Sequence, residues 1–131
     1  MAIIATLPGV SVSVDSNGSV LPELCSPDIA DLPRTATRYV QAQSGQQFTV
    51  RCNISNRRFF PSEAMRLRAY IDGQKLNARI VRKSDCEPEG MVEIIGGAIV
   101  GSFAIRPFVF SDLVVSMYEQ KSFSVTVALT R

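Results

Sequence analysis

The chain has 131 residues, 46% hydrophobic and 20% charged, with 14 Lys and Arg against 12 Asp and Glu for a formal net charge of +2. That composition excludes a disordered tail, and the length fits a single domain, residues 1–131, that buries roughly two-thirds of its unfolded surface. So small a net charge does not by itself signal a nucleic acid or a membrane, and any such reading must rest on where the charges sit.

The first eight residues, MAIIATLP, read as a loose N-terminal arm without the basic n-region or long apolar run of a secretory leader. From Val10 the pattern alternates, with Val12 and Val14 separated by Ser11 and Ser13, which is the period of a strand. Asp15-Ser16-Asn17-Gly18 is expected to turn the chain. Cys25 to Pro33 reads as an irregular crossing, and Thr37 to Ala42 extends again before a turn at Ser44-Gly45. Phe48, Val50, Cys52 and Ile54 line one face of the next strand, with Thr49, Arg51 and Asn53 on the other. Helix is limited to a turn near Pro61 to Ala64 and another near Asp112 to Tyr118.

One hairpin can be read in register. Asp72-Gly73 suits a two-residue type I′ turn, since both positions need positive φ. Closing there sets Ile71 against Gln74, Ala69 against Leu76, Leu67 against Ala78 and Met65 against Ile80 on an apolar face. The other face then carries Tyr70 beside Lys75, Arg68 beside Asn77, and Arg66 beside Arg79. Further on, IIGGAIVGSFAI (Ile94 to Ile105) is too short to span a bilayer and reads as a buried strand with a bulge at Gly96–Gly97. The last strand places Phe123, Val125, Val127 and Leu129 on one face. Altogether, about eight short strands predict an all-β fold, an antiparallel β-sandwich of the jelly-roll or Ig-like kind with at most one or two helical turns.

The segments TRYVQAQSGQQFTVRC (Thr37 to Cys52), LRAYIDGQKL (Leu67 to Leu76) and RPFVFSDL (Arg106 to Leu113), with the opening LPGVSVSV, resemble a family of fungal β-rich domains of unknown function. The resemblance implies a fungal, intracellular domain and supplies no catalytic residues to carry over.

The residues themselves point away from catalysis. With no histidine, a nucleophile has no usual base and three cysteines lack a fourth zinc ligand. Cys25, Cys52 and Cys86 are expected as reduced thiols of a cytoplasmic or nuclear protein, Cys52 buried and the other two in polar loops. The carboxylates Asp85, Glu87, Glu89 and Glu93 lack the order of a calcium loop and read as a solvated loop. The expectation is therefore a non-enzyme with no cofactor and no metal.

Two surfaces remain as candidates. The hairpin face of Arg66, Arg68, Tyr70, Lys75 and Arg79 fits a polyanion, or else a solvated face relieved by Glu63. The loop of Arg57, Arg58, Phe59 and Phe60 has an interface composition, or else its two aromatics plug an open end of the sandwich. The function expected is an intracellular interaction module that binds a protein partner or its own copy, and not a membrane. The alternatives are a polyanion or nucleic-acid binder using the hairpin, and a lectin-like carbohydrate binder, the last disfavoured by the absence of tryptophan.

Overall fold

The strand-forming alternation of Gln47–Ile54 is realised residue by residue: Phe48, Val50, Cys52 and Ile54 are buried, and Thr49, Arg51 and Asn53 are only partly so. The computed structural model describes residues 2–3, 7–25, 30, 36–60, 62–71, 74–102, 104–111 and 125–130, giving backbone alone at residues 59, 76, 77 and 125–130. Among the described residues there are twelve strands: β1 (Ala2–Ile3), β2 (Val10–Ser16), β3 (Ser19–Val20), β4 (Glu23–Leu24), β5 (Tyr39–Val40), β6 (Gln47–Ile54), β7 (Ala64–Ile71), β8 (Gln74–Arg82), β9 (Met91–Ile95), β10 (Gly97–Val100), β11 (Ala104–Val109) and β12 (Val125–Thr130). All pairings are antiparallel.

Strand β6 organises the larger, seven-stranded sheet, whose path runs β1-β2-β6-β11-β10. One edge of β6 pairs with β2 along its length, Val14 opposite Val50 and Val10 opposite Ile54. Its other edge is shared, by β11 at Phe48 and by β9 from Val50 to Ile54. A second, smaller sheet has the order β12-β7-β8, and β4 and β5 pair with each other in a separate two-stranded ribbon. Two apolar clusters fill the space between the sheets. One joins Cys52 and Ile54 to Met65, Leu67 and Val81, closed by Phe60 and Cys86. The other packs Phe48, Val50, Ile95, Phe108 and Phe110 against Ala69. Phe48 stacks on both Phe108 and Phe110, at centroid distances of 5.4 and 4.3 Å, a geometry that adds to the area each ring buries. Among the described residues the architecture is a sandwich-like all-β fold with no closed barrel.

Several expectations hold in a finer form. The first turn is tighter than expected, because β2 continues through Asp15 and Ser16 and only Asn17 and Gly18 lie outside the ladder. Both have positive φ, 50° and 78°, as a two-residue hairpin turn demands. The bulge foreseen at Gly96–Gly97 is a switch of partners. Strand β9 leaves β6 after Ile95, Gly96 accepts a hydrogen bond from Phe108 N–H at 3.2 Å, and β10 continues along β11. The burial expected there fails, however. Ile95 is buried, yet Ile94, Ile99 and Ile105 are exposed, because they face away from the smaller sheet. The helical turn expected near Pro61 falls earlier, at Arg57–Phe59, and a second occurs at Lys83–Asp85. The turn expected at 112–118 and the Asp72-Gly73 turn itself lie outside the described residues, as does Phe123.

The largest correction is in the hairpin. Ile71 faces Gln74 and Tyr70 faces Lys75 as expected, but beyond them the register shifts by one residue. Two residues of β8, 76 and 77, stand opposite the single Ala69, which is a β-bulge. From there Arg68 pairs with Ala78, Leu67 with Arg79, Arg66 with Ile80 and Met65 with Val81. The shift has two visible gains. It removes the direct opposition of Arg66 and Arg79, which costs energy in a ladder. It also turns Val81 inward against Met65, leaving Ile80 at 62% exposure on the outside.

Gly90 secures the join between the sheets. Its φ is +118°, and a Cβ there would overlap the carbonyl oxygen of Ile54 and the backbone of Ser55. Gly18 has a positive φ too, but only open space around it. Gly90→Ala is therefore expected to destabilise the domain by about 2–3 kcal/mol or more, and Gly18→Ala by about 1 kcal/mol. Urea unfolding followed by circular dichroism checks the order; equal losses would show that the backbone contact at Gly90 does not matter.

Candidate functional site

The outer surface of the smaller sheet is built by alternation along β7 and by the bulge in β8. On β7, Met65, Leu67 and Ala69 point into the core, so Arg66, Arg68 and Tyr70 point outward. On β8, the outward set after the bulge is Ala78, Ile80 and Arg82, with Lys75 opposite Tyr70 before it. The structure thus brings together four of the five hairpin residues expected, Arg66, Arg68, Tyr70 and Lys75. Arg79 does not join them. It shares the inward-facing side of the sheet with Leu67 and, from this edge strand, reaches the opposite sheet, its Nη1 lying 3.3 Å from Glu93 Oε2 on β9. Arg82 takes its place on the basic face, a residue the sequence reading missed. The signal available was the Arg66–Arg79 clash itself, together with the adjacent Ile80-Val81 pair, either of which can face inward.

The electrostatics of this face are one-sided. Arg66, Lys75 and Arg82 are exposed and Arg68 half-buried, and none has a carboxylate within 4.0 Å among the described residues. Arg68 lies on the central strand, and its Nε is buried without a hydrogen-bond acceptor. A buried donor left unpaired costs about 1–3 kcal/mol. Off this face, Arg51 meets Asp15 at 2.5 Å, although its Nε too is buried without an acceptor, and Arg38 lies 3.8 Å from Glu23. Glu63 precedes β7, where its backbone carbonyl accepts from Lys83 N–H, and it forms no ion pair with the face among the described residues.

The aromatic loop separates into two parts. Asn56 caps the short turn, its side chain accepting from Arg58 N–H at 2.9 Å, and this holds Arg57 and Arg58 at the exposed surface. Phe60 is buried in the core cluster that holds Met65. The side chain of Phe59 lies outside the described residues. Phe60→Ala is expected to cost about 3–5 kcal/mol in the same unfolding experiment, a loss that an interface residue would not show.

The three cysteines fall in three environments. Cys25 is exposed and Cys52 is buried, as expected. Cys86 is also buried, contrary to its polar neighbours, because it follows the turn at Lys83–Asp85 and packs into the first apolar cluster. Burial, with a smaller contribution from Glu93, pushes the Cys52 thiol up to about 11 from an ordinary 9.0. Burial also raises Cys86, against Arg57, which lowers it, and with Glu87, which raises it. Of the acidic group, Glu93 is tied to Arg79 and Asp85 accepts from Ser84 Oγ at 3.0 Å, while Glu87 and Glu89 are exposed. No group of three or more metal-binding side chains gathers among the described residues. No helix among them is long and apolar enough to cross a membrane.

An antiparallel sandwich-like domain with one basic sheet face is thus the class that the geometry defines. A family model described as a domain of unknown function, DUF7918, matches residues 9–127, and the chain belongs to that family. No curated protein and no solved structure matches the chain.

Raised thiol pKa values have a consequence for both reactivity and stability. The unfolded chain forms the Cys52 thiolate first, so this group's stabilisation is complete below pH 9.0 and is lost as pH rises towards about 11. At pH 8, iodoacetamide is expected to label Cys25 in the folded protein and Cys52 and Cys86 only after denaturation, read by peptide mass spectrometry.

Proposed function

We propose that this domain is a non-catalytic interaction module, working inside the cell, whose basic sheet face receives an acidic segment of a protein partner. The observation that carries the reading is the grouping of Arg66, Arg68, Lys75 and Arg82 on one side of β7 and β8 with no carboxylate beside them among the described residues.

Ile80 favours a protein over a nucleic acid. It lies directly opposite Arg66, 62% exposed, between Ala78 and Arg82 on the same face. A phosphate backbone has nothing to offer an exposed isoleucine, whereas an acidic segment that alternates carboxylates with aliphatic side chains meets both. Each exposed ion pair contributes about 0.2–1 kcal/mol, so the complex is weak and screened by salt. Free thiols suit a reducing compartment, which is consistent with an intracellular module.

Fluorescence anisotropy with three labelled probes tests this: a peptide alternating Glu and Leu, polyglutamate, and a single-stranded oligonucleotide. The alternating peptide is expected to bind tightest, weakening about tenfold or more between about 50 and 300 mM NaCl. Arg66→Glu combined with Arg82→Glu should weaken it by about tenfold or more, and Arg79→Glu by less than about threefold, since Arg79 lies on the other side of the sheet. Tightest binding to the oligonucleotide would assign the face to nucleic acid instead. No binding of any probe at low salt would remove the proposal.

A further inference from the structure

The larger sheet carries an outer surface of the opposite character. Beyond β6, alternation and the partner switch at Gly96 place Val92, Ile94, Ile99, Ile105, Pro107 and Val109 on the side facing away from the core. Ile99 and Ile105 are direct cross-strand partners, 61% and 69% exposed, and Val92, Ile94 and Val109 are each close to half exposed. Together they leave on the order of several hundred Å² of aliphatic surface exposed, within the range of the largest apolar patches on monomers. Among the described residues, no charge interrupts the six. The adjoining Arg51, opposite Ile94 in the ladder, is neutralised by Asp15.

We infer that a second copy of this chain docks on this surface, outer sheet face against outer sheet face. Three features select that occupant. Exposed aliphatic strand surface packs on another of its kind, and a two-fold axis lets the same patch serve both partners. The area is right as well: the patch, with the flanking Gln47, Thr49 and Asn53 as rim, approaches the roughly 800 Å² per partner that a stable interface buries. Finally, charge decides between the two sheets. Stacking copies through the smaller sheet would set Arg66 and Arg82 against their own equivalents, whereas the β9–β11 face brings no like charges together. The dimer would leave both basic faces outward and does not depend on what they bind.

Size-exclusion chromatography with light scattering on the full chain, from about 5 to 200 µM, tests the inference. The expected mass is about twice the monomer's 14.3 kDa, and it should persist in about 1 M NaCl because the contact is apolar. Ile99→Thr with Ile105→Thr keeps β-branched side chains on exposed strand positions and should raise the dissociation constant about 100-fold, while Ile80→Thr should leave it unchanged. Val92→Thr, an isosteric change, is the second variant where the pair fails to fold. A monomer throughout the range overturns the inference, as does unaltered dimerisation of a folded variant, or a dimer that dissociates in high salt.

Discussion

Strand β6 carries the fold, because its four inward side chains belong to both apolar clusters and both of its edges are occupied. Phe48 and Val50 face the second cluster, and Cys52 and Ile54 the first. On one edge β2 pairs from Thr49 to Ile54; on the other, β9 and β11 divide it between them. A strand buried on one face and paired on both edges cannot slip by one residue without turning all four apolar side chains to solvent. The division of its second edge forces β9 to give way to β10 at Gly96, and that bend lays out the aliphatic outer surface.

The smaller sheet answers to a different constraint. Its inward positions Met65, Leu67 and Ala69 are fixed by the core, but β8 is an edge strand and has room to adjust. The bulge at residues 76–77 uses that room. It sends Arg79 across the sandwich to Glu93, Val81 into the core and Arg82 to the outside. The same one-residue adjustment that lets β8 pack also sets the composition of the basic face. The two sheets consequently show water two unlike faces, one cationic and one aliphatic, on opposite sides of a shared core.

Much of this was legible in the chain. Alternation revealed β2, β6 and β7, and on β6 and β7 the correct buried face, because period two is imposed by the strand itself and needs no knowledge of neighbours; on β2 the intervening Ser11, Ser13 and Asp15 are buried as well. Asn17-Gly18 was legible as part of a turn because positive φ is a local demand. Hidden were the bulge, which turns Val81 into the core and carries Arg79 to a glutamate on another sheet, and the exposure of Ile99 and Ile105. Hydrophobicity shows that a residue favours burial, but not whether a second layer is there to cover it.

From its sequence alone, then, the chain determined its class, its inward-facing stripes and the absence of histidine chemistry, since each of these is set within a few residues or by composition. Tertiary structure alone decided the register of β8, the replacement of Arg79 by Arg82 on the cationic face, the burial of Cys86, and which apolar strand positions meet solvent. The reason is the same in all four cases. A residue's neighbours across a sheet edge, or across the gap between sheets, are distant in sequence, and only their packing settles which of two adjacent side chains turns inward.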